Sequence, residues 1–580
     1  MNMRFPKLRE LEASRQMVDT FRGYNHNLRI SDGEFFDMKN MTSDYYPVLS
    51  PRKKRGLYAS PNSPKGMIAK DALCYVDGTK FVINEYPVDM GLNDEPKQLI
   101  SMGAYVIIMP DKKWINTLDT TEFGNIEASY TSESDVTFSL CTVDGADYED
   151  MTVSASEPAD PENMALWIDT SSTPHSLKQY SATSAMWVQI ATTYVKISCP
   201  NIGKSFELYD GVTISGIKDE ALQDLNASMS IWAKDDDYIV VVGILDAVTA
   251  QTVEEGAIKV ERKMPEMDFI TESENRLWGC RYGVANNGEV VNEIYASKLG
   301  DFKNWNCFMG LATDSYAASC GTDGQFTGAI THMGYPLFFK ENCVHKVYGN
   351  YPANFQIQTT ACRGVQKGCH KSLAIVNEVL YYKARSGICA YDGSLPTEAS
   401  YVLGNEAYSD AVGGAHGNKY YVSMKDVMGQ WNLFVYDTAK GMWHKEDDFQ
   451  ADSFCSCRNE LYAIYCGDII CMLGSGEDYE GDLDWMVQTG EIGISSPDMK
   501  YISRLTVRMA MDIGSEVRFY AQYDFSDEWE PLFSLRSDNL RSFSLPIRPK
   551  RCDHMKLRVE GEGMAKIYSI TKTIEQGSEL

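Results

Sequence analysis

Cysteine and histidine are the residue types in this chain that could hold a metal ion or supply a nucleophile with its base. The sequence has 15 cysteines and 8 histidines, and no two cysteines have the C-x-x-C spacing of a structural zinc site. The C-x-C group of Cys455 and Cys457 has no second pair at a suitable distance. Cys362, Cys369 and His370 lie near one another but lack a fourth ligand. We therefore expect free thiols in the core, with no metal and no cofactor.

Catalytic motifs are also missing from the sequence. The histidines form no H-x-H or H-x-x-x-H group, and neither a Gly-rich phosphate loop with its lysine nor a serine nucleophile elbow occurs. Among the 81 acidic residues nothing marks the pair of carboxylates that a glycosidase requires. Asp392 and Asp437 lie in turns that already explain them structurally. The sequence predicts that the chain is not an enzyme.

The charge balance is strongly acidic, with a formal net charge of −27. Nucleic-acid binding that ignores sequence depends on Lys and Arg neutralising phosphates, so this balance argues against a DNA clamp. It is compatible with a surface past which DNA slides without sticking. Ordinary solubility explains the same charge without any reference to DNA.

Nothing in the sequence indicates a membrane span. No stretch approaches the roughly 20 uncharged apolar residues that a membrane helix requires. The first residues reach charges at Arg4 and Lys7 instead of an apolar core, so we expect no secretory signal and synthesis in a cytoplasm.

The elements that would position any site are short β-strands that recur in pairs. After Met267 each pair is a strand, a turn and a second strand, and after a wider first gap the pairs recur at roughly 40 residues, the spacing of four-stranded propeller blades. The five pairs begin at Arg276, Pro336, Val379, Lys419 and Glu460. The pattern predicts an all-β, multi-bladed β-propeller, and an array of β-sandwiches is the alternative.

Composition divides the chain into five segments. We predict an extended N-terminal assembly arm at 1–60, the first propeller blade or blades at 61–117, an inserted acidic β-domain at 118–264, the remaining blades at 265–484 and a C-terminal β-sandwich at 485–580. No Lys or Arg occurs between Trp114 and Leu177, so that stretch could instead be a solvated, disordered loop. In the last segment apolar and polar residues alternate, as in strands with one buried face.

The arm carries the most distinctive phrases of the sequence. It contains Phe-Arg-Gly-Tyr-Asn from Phe21, Asn-Met-Thr-Ser from Asn40 and Tyr-Pro-Val-Leu-Ser-Pro-Arg from Tyr46. The prolines of the last phrase forbid a continuous helix and favour an extended course. Together these phrases resemble the opening of phage tail-nozzle proteins, also called tubular tail protein B or the packaged-DNA stabilisation hub. The blade phrases around Trp305 and Pro396 are similar in style to the same family.

The resemblance implies a structural virion protein in the phage tail. The expected assembly is a homo-oligomeric ring, with a hexamer favoured, below the portal and adaptor proteins and in contact with tail fibre or tip proteins. DNA would pass through the channel without specific binding, and the ring would help retain the packaged genome. The resemblance and the extended course together predict assembly-interface residues in the arm: Phe21, Gly23, Tyr24, Asn25, Asn40, Tyr45, Tyr46, Pro47, Pro51, Arg52 and Arg55. A chain without residues 1–55 is expected to keep a folded body and to fail in assembly.

Two other functions stay open at this point. One is a receptor- or glycan-binding protein of the tail tip, which would use exposed aromatic side chains of the inserted domain. The other, less favoured, is a propeller hydrolase that degrades wall polymers.

Overall fold

The computed structural model describes residues 13–284, 288–494, 499–524, 526–536, 541–548 and 550–576. It confirms the predicted fold class: the chain is an all-β, multi-bladed β-propeller with an inserted β-domain and a C-terminal β-sandwich. The chain forms two compact units. The first comprises 1–97, 339–344 and 360–580, and the second comprises 98–338 and 345–359.

Seven sheets in the described part of the chain have the strand order of a propeller blade. Each has at least four antiparallel strands that follow one another in the sheet, as period-two runs separated by tight turns predict. In the first unit, blade 1 is Pro64–Ala69, Leu73–Asp77, Lys80–Ile83 and Tyr86–Asp89; blade 5 is Ala374–Val376, Val379–Ala384, Gly387–Tyr391 and Thr397–Glu398; and blade 6 is Tyr408–His416, Lys419–Asp426, Trp431–Asp437 and Met442–Lys445. In the second unit, blade 2 is Gln98–Met102, Tyr105–Met109, Lys113–Asn116 and Phe123–Asn125, and blade 3 is Phe269–Ser273, Arg276–Val284, Val290–Ala296 and Tyr316–Ser319. The strands of blade 4, which the unit boundaries divide, are Phe326–His332, Tyr335–Lys340, Cys343–Tyr348 and Gln356–Ala361.

Blade 7 is built from both ends of the first unit. Its first three strands are Ser453–Cys457, Glu460–Tyr465 and Asp468–Cys471. The next strand, Gly56–Ala59, comes from the N-terminal segment and pairs with Asp468–Cys471 and with the short strand Glu477–Asp478. The N-terminal segment is therefore a structural part of the propeller.

Apolar faces pack the blades against one another. In the first unit, Val412, Tyr421 and Leu433 of blade 6 share a core cluster with Leu461 and Ile470 of blade 7. Similar clusters join blade 7 to blade 1 in that unit, and blade 2 to blade 3 and blade 3 to blade 4 in the second unit. Removal of these faces from water is the main force that holds neighbouring blades together.

The C-terminal sandwich also takes strands from the N-terminal segment. One sheet contains Ala13–Val18, Lys500–Met511, Arg541–Leu545, Arg551–Cys552 and Ala565–Gln576; the other contains Gly23–Tyr24, Glu34–Lys39, Asp484–Thr489, Glu516–Tyr523, Glu530–Leu535 and Met555–Glu562. A small ladder joins Met41–Thr42 to Ser50–Pro51. The predicted arm residues from Ala13 onward are thus paired with the chain's own strands, and the predicted residues 1–12 lie outside the described range.

The inserted domain consists of three sheets between Ala128 and Arg262. The first is Ala128–Thr131, Gly211–Ser215, Ser228–Ser230 and Lys259–Arg262; the second is Val136–Cys141, Tyr194–Ser198, Ala233–Asp235, Tyr238–Val242 and Thr249–Gln251; the third, here called the small sheet, is Met151–Ser154, Leu166–Asp169, Ser176–Ser181 and Met186–Gln189. The first two sheets enclose one apolar core. The stretch that lacks Lys and Arg therefore contributes ordered strands to this domain.

In the described residues, helical structure is limited to short 3-10 turns: Glu220–Leu225, Val253–Glu255, Pro352–Asn354, His370–Ser372 and Tyr401–Leu403. Within the residues that the structure describes, no helix has the length and apolar character needed to cross a membrane.

The strand from the N-terminal segment in blade 7 depends on a glycine. A Cβ atom on Gly56 would lie 1.8 Å from the carbonyl oxygen of Ser475, whereas a Cβ on Gly481 would meet nothing within 4 Å. We expect Gly56→Ala to lower the free energy of unfolding by about 1–3 kcal/mol, the usual cost of overpacking, and Gly481→Ala to leave it within about 0.5 kcal/mol. Urea unfolding of both variants tests this. Equal midpoints would show that the strand does not need close approach at Gly56.

Candidate functional site

Two arginines of the N-terminal segment form the centre of a buried charge cluster in the first unit. Arg52 donates to both carboxylate oxygens of Glu480 at 2.7 and 2.8 Å. Arg55 donates to both oxygens of Asp447 at 2.7 and 2.9 Å and to Glu446 at 2.6 Å. The side chains of Arg52 and Arg55 are only 6% and 2% exposed. We call these five residues the arginine joint.

Backbone geometry brings the members of the arginine joint together. Arg52 follows the short strand Ser50–Pro51, and its backbone N–H donates to the carbonyl of Asn40 at 2.9 Å. Arg55 directly precedes the blade 7 strand Gly56–Ala59, and its backbone N–H donates to Glu480 at 2.7 Å. Glu446 and Asp447 follow the last strand of blade 6. The joint therefore fixes the N-terminal segment to the ends of two blades at once.

The planar guanidinium groups suit this arrangement. Each binds a carboxylate with two parallel hydrogen bonds, which lysine cannot do. The Arg55 guanidinium also lies over the ring of Phe449, with 4.4 Å between its central carbon and the ring centroid. Arg52 donates its Nε–H to the side chain of Asn40 at 3.0 Å. Buried charges of both signs are thus paired and hydrogen-bonded, as their loss of solvation requires.

The pKa values of the carboxyls reflect this pairing. Burial alone would raise the pKa of Asp447, but the charge and hydrogen bonds of Arg55 outweigh it and hold the pKa below its usual range. Burial likewise opposes ionisation of Glu480, yet the hydrogen bonds and charge of Arg52 lower its pKa. Both groups are charged at neutral pH, and their ionised forms stabilise the fold.

A polar cavity of about 420 Å³ adjoins the arginine joint. Ion pairs line its wall: Lys419 donates to Asp44 at 2.6 Å, and Lys440 donates to Asp437 at 2.9 Å. The same Asp437 oxygen accepts a hydrogen bond from Ser43 at 2.6 Å. Every one of these carboxylates is already bound by a neighbouring cation, so the cavity wall offers no open acid–base pair. These ion pairs hold the N-terminal segment against blade 6.

The structure places eight of the eleven predicted interface residues inside the chain's own fold. The buried eight are Phe21, Gly23, Tyr24, Asn25, Asn40, Pro51, Arg52 and Arg55. Packing explains several of them: the Tyr24 ring lies 5.6 Å from that of Phe434 in blade 6, and a Cβ on Gly23 would lie 2.3 Å from the carbonyl oxygen of Trp443. These side chains have almost no surface to offer a partner. The expectation that the chain folds without residues 1–55 does not agree with this arrangement, because the truncation removes strands from both sheets of the sandwich and the two arginines of the joint that precede the blade 7 strand.

The remaining three predicted residues form an exposed turn. Tyr46 is 44% exposed, Pro47 is exposed and Tyr45 is half-buried. Lys566 lies 4.1 Å from the centroid of the Tyr45 ring, and Lys440 lies 6.0 Å from that of Tyr46. This turn is the part of the predicted interface that solvent can reach.

The other residues singled out from the sequence have structural surroundings. Among the described residues no group of three His, Cys, Asp or Glu side chains could hold a metal ion. Cys369 is buried, and its sulfur accepts a hydrogen bond from the backbone of Ala411; His370 is exposed and begins a 3-10 turn. Asp392 caps its own turn at Ser394. Trp443 packs on Tyr436 and donates to the carbonyl of Ala399 at 2.8 Å, which places it between blades 6 and 5.

Sequence reasoning missed the partners of the arginines and a second polar pair. Nothing in the local sequence distinguishes Glu446, Asp447 and Glu480 from the other acidic residues, since they meet Arg52 and Arg55 only through long-range pairing. In the inserted domain, His175 Nδ1 lies 2.8 Å from a carboxylate oxygen of Asp246. These two residues are 71 positions apart, and no motif links them.

Comparison with known proteins gives no family. No protein-family model matches the sequence, and no curated protein is similar to it. Solved structures with some similarity include an exo-β-1,3-galactanase from Phanerochaete chrysosporium (9% identity, TM-score 0.21, 52% of this chain and 95% of that one) and an acylaminoacyl peptidase from Pyrococcus horikoshii (10%, 0.23, 54% and 55%). The WD40 domain of Toxoplasma gondii coronin is a third (10%, 0.21, 75% and 86%). Similarity at this level assigns neither an activity nor a partner.

Removal of one arginine tests the arginine joint directly. We expect Arg55→Met to lower the free energy of unfolding by about 3–5 kcal/mol, because it leaves Glu446 and Asp447 with only their longer contacts to Arg52, at 3.5 and 3.2 Å. The neighbouring Lys54 makes an exposed pair with Asp482, and Lys54→Met should change stability by less than about 1 kcal/mol. Urea unfolding of the two variants measures the contrast. Equal effects would mean that the buried pairs contribute no more than the exposed one.

The arginine joint also predicts how stability depends on pH. The pKa of Asp447 and that of Glu480 lie below their ordinary values of 3.8 and 4.5. Their contribution to stability is therefore complete above those ordinary values and is lost as the pH falls through them toward the lower folded-state values, from about pH 5 to about pH 3. In Arg55→Met the same carboxyls have lost part of their charge pairing, so their protonation lowers the stability of the variant less than that of the wild type. The difference in urea midpoint between wild type and variant should therefore narrow across this interval. A difference in urea midpoint that stays constant with pH would contradict the conclusion that Arg55 stabilises these ionised carboxyls.

Proposed function

We propose that this chain is a structural protein of a phage particle, a subunit of a ring-shaped tail nozzle or hub, and that it acts by assembly instead of catalysis. The observation that carries the proposal is the arginine joint. The segment that resembles the opening of tail-nozzle proteins, from Phe21 to Arg52, is the one that this joint fixes to the propeller. Its distinctive phrases therefore have a defined structural role in the first unit: they complete the sandwich sheets and anchor blades 6 and 7.

In this proposal the ring lies below the portal and adaptor and contacts fibre or tip proteins of the tail. DNA passes through its channel, and the ring helps retain the packaged genome. The net charge of −27 is compatible with weak, transient contact with DNA, because acidic residues outnumber the cations that would neutralise phosphates. Mechanical stability matters more for such a part than chemistry does, and the paired buried charges and blade cores supply it.

An enzymatic function has less support. The His175–Asp246 pair is the arrangement that comes nearest to a general base with its orienting carboxylate. Within the described residues no serine, threonine or cysteine hydrogen-bonds to that histidine, so the pair lacks a nucleophile. In the polar cavity, Asp44 and Asp437 are bound by Lys419 and Lys440, so these two carboxylates do not form the acid and base pair that glycoside hydrolysis requires.

The turn at Tyr45–Pro47 is the contact that we propose for assembly. It belongs to the resembling segment, and Tyr46 is an exposed aromatic side chain of that segment. Tyrosine is favoured at protein interfaces because it combines a large apolar face with a polar tip. The buried residues of the segment would act indirectly, by holding the turn in place.

Electron microscopy of the purified full-length protein tests the proposal. We expect rings with an open axis, and we expect Tyr46→Asp to shift the population toward smaller species, because a charge at a packed aromatic contact is strongly unfavourable. Tyr86 is 75% exposed on blade 1, so Tyr86→Asp is the matched control and should leave the rings intact. Analytical ultracentrifugation gives the mass distribution of each sample. A wild-type protein that is monomeric at all concentrations would contradict the proposed ring. Intact rings in Tyr46→Asp would contradict the role of the turn in assembly and would leave the ring itself unaffected.

A further inference from the structure

The inserted domain contains a cavity of about 300 Å³ that the proposed assembly does not use. It lies between the small sheet, the 3-10 turn Glu220–Leu225 and the end of the strand Tyr238–Val242. Apolar side chains form its floor: Leu177, Ile190, Leu222, Leu225, Met229 and Ile244. A concave site of this size, lined by polar as well as apolar groups, is at the small end of the range for ligand pockets, about 300–1,000 Å³.

Polar groups stand at the rim of this floor. The Nδ1 atom of His175 is held by Asp246, and the two side chains are 32% and 38% exposed. This contact orients the ring and leaves Nε2 for another partner. Gln189 and Asp224 also line the cavity and are exposed. Their side chains make no hydrogen bond within the described part of the chain. Hydrogen-bonding groups around an apolar floor define an orientation for a bound ring.

The charge of the domain restricts the ligand. Residues 128–262 contain 22 Asp and Glu and 7 Lys and Arg, a net charge of −15. Phosphates, sulfates and acidic sugars would be repelled. A neutral hexose fits what remains: its C–H face packs on the apolar floor, and its hydroxyls donate to Asp224 and bond to Nε2 of His175.

We propose that this cavity binds one neutral hexose unit of a glycan. The inference does not depend on the ring, because all of the residues that form the cavity belong to the inserted domain. In a ring, the same site would give the particle a sugar contact of its own.

Saturation-transfer NMR on the full-length protein tests the site with free glucose, galactose, N-acetylglucosamine and rhamnose as probes. We expect at least one of them to receive signal. Ala191 lines the cavity on an exposed backbone, so Ala191→Phe should fill the mouth and abolish the signal. Ala182 is exposed in a turn of the same sheet and does not line the cavity; Ala182→Phe is the matched control and should bind as wild type does.

A second set of variants tests the hydrogen bonds and the position. Asp224→Asn should weaken binding about tenfold, as the loss of a charged acceptor does. The rings of Tyr180 and Trp187 pack at a tilt on the small sheet, with centroids 5.4 Å apart. The hairpin register places them on the face opposite the floor residue Leu177. If sugar binding is lost in Tyr180→Ala and kept in Ala191→Phe, the sugar does not bind in the cavity. That result would favour the aromatic face as the binding site. The proposal would also be overturned if none of the four sugars received signal. The same holds if ethanolamine, a small cation, displaced the sugar at equal concentration.

Discussion

The constraint on which the first unit depends is the pairing of two buried arginines with three carboxylates, of which Glu446 is buried and Asp447 and Glu480 are partly exposed. Glu446 and Asp447 end blade 6, Glu480 follows blade 7, and Arg52 and Arg55 come from the far end of the chain. Once the N-terminal segment is bound there, the strand Gly56–Ala59 is delivered in register to blade 7. The strands before Asn40 are likewise directed to the sandwich sheets. Long-range pairing of this kind is costly in chain entropy, and strong, geometrically specific contacts at the joint offset that cost.

The second unit uses the same physical solution where the inserted domain joins it. Arg262 ends the last strand of the insert and pairs with Asp210, both almost fully buried. Asn304 donates to the other oxygen of Asp210 at 2.9 Å, and Arg262 also donates to the carbonyl of Ile126 at 3.1 Å. Paired, hydrogen-bonded charges thus stand where segments distant in sequence meet within each unit. An apolar contact would tolerate several orientations, whereas a bidentate pair fixes one.

Local patterns were sufficient to predict the fold class and insufficient for the joint. The pairs beginning at Arg276, Val379, Lys419 and Glu460 are the second and third strands of blades 3, 5, 6 and 7, because period-two alternation and turn residues act over a few positions. Whether the segment before Gly56 is an arm or an internal strand depends on partners more than 400 residues away. Arg52 and Arg55 were identified as interface residues from resemblance, yet their carboxylate partners carry no local signal. His175 and Asp246 were missed for the same reason.

The distribution of charge changes what the acidity of the chain means. Residues 128–262 account for −15 of the net charge of −27, so the remaining, larger part of the chain carries only −12. At physiological ionic strength an exposed charge acts over about 8 Å. The acidity of the insert would therefore act mainly on a ligand of the insert itself. It would bear little on DNA that passed the propeller in the proposed assembly, where local groupings of charge would decide the contact. The overall acidic balance is therefore weak support for a DNA conduit. Its main consequence is to restrict which ligands the inserted domain can bind.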